Sequence, residues 1–358
     1  MKFENYGYFV KCNKWIYINL SICYIWTEDE LCNGNFIQTI KNSINKLSKC
    51  DLSRCKKLNV IIDFGEFIER FNKDIYEEGL QYLVCEIRSL NFIDNIYRRN
   101  NDANSIFYEK IEYSETEGLK LSEVAGGSED SNRISKIMNS FLNEYSDFLI
   151  VKYAIKKIEN KKIYLESSNV FANEYVLVKN LFLDTFILNY FIYELFKLIN
   201  KYLNDRGIKI FDVKLISASD TGAMIVTALL HLINKFHSYE KRLIMGQHLL
   251  HLGPTFSFNM SGITLDELQG NKYIYVYDFM CEGSEYRLVK NCLEMNKANL
   301  IGAVGIAKYN GPRKVVLDGS DFKVEFDTTN ILQVVDMEKW KKGKNGYYEI
   351  TYSQENNK

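Results

Sequence analysis

The run Tyr273–Tyr286, YIYVYDFMCEGSEY, constrains the fold of this 358-residue chain more than any other stretch. Its first half is continuously apolar, with Ile274, Tyr275, Val276 and Tyr277 in succession, the pattern of a strand buried on both faces. Asp278 stands at the carboxyl end of that strand, and the small-residue segment Cys281-Glu282-Gly283-Ser284-Glu285 follows. Leu288, Val289, Cys292, Leu293 and Met295 then recur at helical spacing. In α/β sheets this order of strand, acid, tight loop and helix start builds a ligand site outside the strand tip. The helix amino terminus there offers free N–H groups and a positive partial charge, which suit a phosphate. The plainer reading of the same residues is a strand and a helix cap, with Asp278 satisfying a turn.

The segment resembles the phosphoribosyl-pyrophosphate-binding motif of type I phosphoribosyltransferases, in their orotate phosphoribosyltransferase branch. Tyr277 and Asp278 stand at the family's acid pair, Phe279 and Met280 at its apolar step, and Cys281 to Glu285 at its phosphate loop. Asp278, Gly283 and Ser284 keep the family's chemistry. Three neighbouring segments fall in the family's order. In KIYLESSNVFANEYVLVK (162–179), Ile163, Leu165, Ser167 and Tyr175 keep apolar, serine and aromatic positions, while Glu166 replaces a lysine and Ser168 a glycine. In FDVKLISASDTGAMIVTAL (211–229), Ser219-Asp220-Thr221-Gly222 resembles the loop that wraps the pyrophosphate, with Thr221 where the orotate enzymes place a basic residue. Gly222 is retained, as close backbone approach to a ligand requires. A strand at Leu243–Gly246 is expected next, and NLIGAVGIAK (299–308) reads as the last central strand, with Lys308, Tyr309 and Asn310 bordering the family's base pocket.

The resemblance implies an α/β fold: a phosphoribosyltransferase-like domain over 136–340 with a central, mostly parallel sheet, then a strand and tail over 341–358. It also implies phosphoribosyl pyrophosphate or a nucleotide-like small molecule as ligand, Asp278 on the ribose hydroxyls and on Mg²⁺, and residues 219–222 and 281–285 on the phosphates. A homodimer, or a protein partner encoded nearby, is the expected association. The departures bear on the chemistry, because pentosyl transfer needs magnesium and basic residues around a strongly anionic leaving group. Glu166, Thr221 and a lysine-free 247–262 each remove a cation, and Tyr277 removes one acid. At about 4 Å, two like charges cost about 1 kcal/mol in water and about 4 at an effective dielectric near 20. Glu282 places such a charge beside the expected 5′-phosphate. Lys272, Arg287, Lys290, Lys308 and Arg313 are the cations left to offset it. His248 and His251 lie where the family carries its catalytic loop, and read either as acid–base groups or as polar loop residues. The function readings are therefore two: a divergent pentosyltransferase, or a catalytically inactive nucleotide sensor or protein-interaction module.

Residues 1–113 read as a smaller α/β or α+β module. WIYINLSICYIW (15–26) alternates as a half-buried strand, Phe36 to Leu47 follow helical spacing, Leu58–Phe64 is a strand, and Tyr76 to Ile87 a helix. Ser105–Tyr113 adds a further strand. Asp63 ends its strand as a capping or turn acid by default, or as a site residue. Residues 114–135, rich in Ser, Glu and Gly, read as a connector between the two modules.

Composition narrows the classes. A net charge of −1 with both signs interspersed gives no basic field for nucleic acid or an anionic membrane. The most apolar run, Val176–Ile199, is interrupted by charges and reads as a buried helix, not a membrane span. With no leader-like opening, the expectation is a cytoplasmic protein. The eight cysteines include no C-x-x-C pair, so reduced thiols are expected in preference to a structural zinc. Cys281 sits in the candidate loop, where the flanking Glu282 opposes thiolate formation.

Overall fold

The computed structural model describes residues 2–4, 9–12, 15–19, 38, 41–42, 57–63, 73–102, 105–114, 116, 118–157, 163–165, 170–172, 174–236, 269–281, 283–309, 315–317, 320–322, 330–337 and 350–351. The chain divides into two units, Met1–Tyr145 and Ser146–Lys358. The fold is α/β, with a mixed-sheet module preceding a larger unit built on a parallel sheet.

In the first unit seven strands lie side by side in sequence order. They are β1 (Lys2–Glu4), β2 (Phe9–Cys12), β3 (Trp15–Asn19), β4 (Leu58–Asp63), β5 (Ile93–Asp102), β6 (Ser105–Ser114) and β7 (Gly118–Glu123). Strands β3, β4 and β5 are parallel, and the outer pairs are antiparallel. Helix α1 (Lys73–Arg88) carries the chain from β4 to β5. It packs Leu80, Leu83, Val84 and Ile87 with Ile16, Ile18, Val60, Ile62 and Ile96, one pleat face of the three parallel strands.

The sequence alternation of β3 suggests a strand buried on one face, yet all its residues from Trp15 to Asn19 are buried. The second face is covered as well. Trp15 stacks against Tyr97 with ring centroids 5.3 Å apart. Tyr97 donates its hydroxyl to Asp130 of helix α2 (Glu129–Leu149) at 3.0 Å, and Tyr108 bonds Ser135 of the same helix. The stretch 114–135, read above as a connector, thus carries β7 and the start of α2. Strand β7 is an exposed edge, which needs few apolar residues, so its polar composition conceals it.

Asp63, at the end of β4, is 2% exposed. It accepts hydrogen bonds from the Tyr17 hydroxyl at 2.5 Å and from Arg99 Nη1 at 3.2 Å, both on flanking strands. These two partners lie on neighbouring strands of the sheet.

The second unit centres on four parallel strands in the order β12 (Val213–Ile216), β13 (Lys272–Met280), β14 (Asn299–Lys308) and β17 (Ile331–Asp336). Around it lie short antiparallel pairs: β8 (Ile155–Lys157) with β11 (Glu174–Val176), and β9 (Ile163–Leu165) with β10 (Val170–Ala172) and β18 (Ile350–Thr351). Strands β15 (Val315–Leu317) and β16 (Ser320–Phe322) form a hairpin. The apolar run near 176–199 becomes a 3-10 turn, Val178–Leu183, and helix α3 (Thr185–Asn204). Helix α4 (Asp220–Phe236) follows β12, and α5 (Ser284–Met295) follows β13. Among the described residues no helix is long and apolar enough to cross a membrane.

Strand β13 sends Tyr273, Tyr275 and Tyr277 into one core with Tyr286, Val289 and Leu293 of α5. The ring of Tyr277 lies across β14, where a Cβ on Gly305 would meet it at 2.1 Å. Its hydroxyl donates to the Leu332 carbonyl of β17 at 2.8 Å. Tyr202 of α3 makes the comparable contact on Gly302, where a Cβ would meet its hydroxyl at 2.7 Å.

Two substitutions test these packings by urea unfolding. Gly305→Ala drives a methyl group into the Tyr277 ring and should destabilise the second unit by roughly 1–3 kcal/mol. Asp63→Ala deprives Arg99 of its buried carboxylate and should cost the first unit about 3–5 kcal/mol. A change of less than about 0.5 kcal/mol in either would mean that the named contact does not support its sheet.

Candidate functional site

In parallel register the carboxyl ends of β12, β13, β14 and β17 lie along one edge of the sheet. That edge carries Ser217 to Gly222 after β12, Asp278 in β13 two residues before its end at Met280, Glu285 in the first turn of α5, Lys308 at the end of β14 and Asp336 at the end of β17. The general rule places ligands of open α/β sheets at such an edge.

Asp278 lies where two of these segments approach. It is partly buried, and its Oδ1 accepts the Phe279 N–H at 2.8 Å. Thr221, in the first turn of α4, lies near enough to help hold the carboxyl's pKa down. Burial raises the carboxyl's pKa from the ordinary 3.8 to about 6, the Glu285 charge adds to the rise, and the Phe279 and Thr221 donors hold it down. The start of α4 packs close to β13 here, since a Cβ on Gly222 would meet the Val276 carbonyl at 3.1 Å.

Glu285 is fixed from the other side of the strand. The Tyr275 hydroxyl, on a ring 1% exposed, donates to Glu285 Oε2 at 2.7 Å. Burial first and the Glu285 charge second keep that phenol's pKa well above its usual value, so it remains a donor. Gly283 enters α5 in the left-handed region, with φ +66°, and supplies no side-chain cap. Cys281 is partly buried and carries no disulfide. Ser284 opens the helix, and Glu282 lies outside the described residues.

The Ser219–Gly222 turn largely satisfies itself. Ser219 Oγ accepts the Gly222 N–H at 3.0 Å, and Ser217 Oγ donates to the Ser219 carbonyl at 3.3 Å. Asp220 is exposed in the first turn of α4. Gly222, expected to admit a ligand to the backbone, has a nearer explanation. A Cβ there would meet Ser217 Oγ at 2.0 Å and the Val276 carbonyl at 3.1 Å, so its absence lets α4 approach β13.

The other sequence expectations separate by position. Tyr277, at the family's first acid, is fully buried between strands and does not reach the open edge. Lys272 opens β13 at the opposite edge, roughly 20 Å from Asp278 by strand rise. Lys290 lies 3.9 Å from Glu294, further along α5, and Arg287 is partly buried in its first turn. Lys308 is 2% exposed, in register with Met280 and Asp336. Ile163, Leu165 and Tyr175 lie in strands. Glu166, Ser167, Ser168, the 243–246 strand, His248, His251 and Arg313 lie outside the described residues. The Tyr275–Glu285 pair has no sequence signal, because the two meet through strand–helix packing.

Among the described residues no group of three or more His, Cys, Asp or Glu side chains forms a metal centre. Asp278 with Glu285 nearby still offers the donor type Mg²⁺ takes, which is one or two carboxylates completed by ligand phosphates and water.

No family model and no curated protein matches the chain. Among solved structures it is similar to orotate phosphoribosyltransferase from Francisella tularensis at 12% identity and TM-score 0.35, covering 54% of this chain and 86% of that one. It is similar to the Mycobacterium tuberculosis orotate phosphoribosyltransferase solved with inorganic phosphate at 12% identity and TM-score 0.34, covering 55% and 95%. Adenine phosphoribosyltransferase from Thermoanaerobacter pseudethanolicus matches at 15% identity and TM-score 0.31, covering 46% and 88%.

The raised carboxyl has a signed consequence. Between the ordinary 3.8 and about 6, the folded state holds a proton that the unfolded chain has released. Stability should therefore fall as pH rises through this window and level off above it, by at most about 3 kcal/mol. Asp278→Asn, with nothing to ionise, should lose this part of the pH dependence. Urea midpoints of both proteins at about pH 4 and about pH 7 test it, and identical slopes would refute the raised value.

Proposed function

We propose that the second unit binds a ribose-phosphate or nucleotide at the loop following β13, with Asp278 accepting hydrogen bonds from the ribose hydroxyls. The observation that carries this reading is the close approach of the first turn of α4 to β13 beside Asp278, where a Cβ on Gly222 would meet the Val276 carbonyl at 3.1 Å. A carboxylate held by neutral donors keeps acceptor capacity for a sugar diol. Magnesium, where a ligand brings it, would be held by Asp278 and would neutralise phosphate charge there.

On this reading the protein is a divergent phosphoribosyltransferase-like binder, and pentosyl transfer is the activity to assay. Transfer breaks the bond from the anomeric carbon to pyrophosphate and forms one to a nitrogen nucleophile, so the leaving group needs positive charge. The burial of Tyr277 and the distance of Lys272 favour a second reading for the ordinary orotate reaction: a nucleotide sensor or interaction module without turnover.

Titration calorimetry with phosphoribosyl pyrophosphate, nucleoside monophosphates and triphosphates, with and without magnesium, separates these. Binding that is lost by at least about tenfold in Asp278→Asn supports the site. Pyrophosphate release with a base supports the transferase, and saturable binding without release supports the sensor. Unchanged affinity in Asp278→Asn would place the ligand elsewhere.

A further inference from the structure

We infer that β7 pairs with β7 of a second copy of this chain, antiparallel about a two-fold axis at Leu121, which joins the seven-stranded sheets of the two copies into one. The register of the first unit carries an apolar row to this edge. Ile16, Val60, Ile96, Ile111 and Leu121 stand opposite one another on β3, β4, β5, β6 and β7. The first four are 0% exposed and belong to the core under α1. Leu119, on the same face of β7, packs against that core as well. Leu121, the last member of the row, is 38% exposed, and among the described residues β7 has one neighbouring strand, β6.

The backbone is set for the same contact. The Val124 N–H donates to the Tyr108 carbonyl at 2.8 Å, which continues the β6–β7 ladder. Bonded and non-bonded positions alternate in an antiparallel ladder, so Ser122, Lys120 and Gly118 turn their N–H and C=O groups towards β6. Leu119, Leu121 and Glu123 turn theirs outward. With a two-fold axis at Leu121, the two Leu121 residues exchange both bonds, and each Leu119 does the same with Glu123 of the second copy. The two Leu121 side chains then stand side by side and carry the row from one core to the other.

Neighbouring registers fit less well. Outward groups recur at every second residue, so the nearest alternatives place the axis at Lys120 or at Ser122. The first sets two lysines directly opposite, and the second sets Leu121 against Glu123. At the Leu121 axis, Lys120 faces Ser122 of the second copy, and within its own sheet it stands opposite Glu112. A proline, a bulge or a very short length are among the devices that blunt an edge strand. Over its six residues β7 has no proline, and its pairing with β6 runs without a register shift. A two-fold contact of this kind is closed, which gives a dimer and not a fibre.

The test is sedimentation equilibrium of the full chain from about 1 to about 100 µM, where a dimer with a dissociation constant below about 50 µM is expected. Leu121→Pro removes an outward N–H and leaves the bonds to β6 in place, a position where edge strands take proline. Leu121→Lys keeps the backbone intact and sets two like charges at the axis. Each should weaken association by at least about tenfold. The lysine variant, at an exposed position, serves if the proline variant fails to fold by circular dichroism. A wild-type chain that stays monomeric over this range leaves the edge to solvent or to another extended segment, and overturns the inference. Association equally tight in a folded variant overturns it as well, because the contact then lies on another face.

Discussion

The interlock between the Tyr277 ring and Gly305 underlies the candidate site. Strand β14 gives up a side chain so that an aromatic ring from β13 can lie across it, and the tyrosine hydroxyl reaches β17 to bond the Leu332 carbonyl. One residue thereby ties three neighbouring strands. Because side chains alternate along a strand, committing Tyr273, Tyr275 and Tyr277 to the α5 core directs Asp278 away from that core. The same packing that removes an acid from position 277 orients the one at 278.

What then happens at Asp278 is a contest between burial and donors. Losing water, with Glu285 close by, favours the protonated carboxyl; the Phe279 N–H and the Thr221 hydroxyl favour the ionised one. Both donors are neutral. Neither locks the carboxylate as a guanidinium would, and this leaves it sensitive to a ligand's hydroxyls or to a cation. Glu285 is held differently, by a buried phenol that cannot readily ionise. Two acids at one edge thus have distinct tethers, one from the Phe279 N–H and one from the Tyr275 hydroxyl.

The strand–acid–loop–helix order at 273–286 was legible because it is local: apolar continuity, a terminal acid and helical spacing lie within one short run. The parallel central sheet was what the family resemblance implied, with 213–217 and 299–308 reading as further strands, and the structure has it. Features made by packing across the chain were not legible. Strand β5, with IDNIYRRNND, and edge strand β7, with GLKLSE, are too polar to read as strands, since β5 buries Ile96 and Tyr97 while β7 faces solvent. The sequence at Gly222 suggests close approach to a ligand, and it gives no sign that Ser217 Oγ and the Val276 carbonyl already crowd that position. Lys272 looked like a neighbour of the site by sequence distance, and strand geometry puts it at the other end. A periodicity argument finds elements, but it does not find which side chains meet once the elements are packed.

Each unit has an aspartate at the tip of a parallel strand, and comparing the two explains why only one is assigned a ligand. Asp63 ends β4 with 2% exposure, bonded to the Tyr17 hydroxyl and paired with Arg99. Its charge is compensated inside the fold, and removing it strands a buried cation, which is the behaviour of a structural ion pair. Asp278 lies two residues before the end of β13, partly exposed, with the Phe279 N–H donating to it and a second carboxylate nearby. Its charge is not compensated by the residues described around it, so a hydroxyl or a cation that reaches it gains an interaction without displacing an existing one. Both residues lie near the carboxyl end of a parallel strand, and they differ in partner: Asp63 pairs with Arg99, whereas Asp278 accepts the neutral Phe279 N–H.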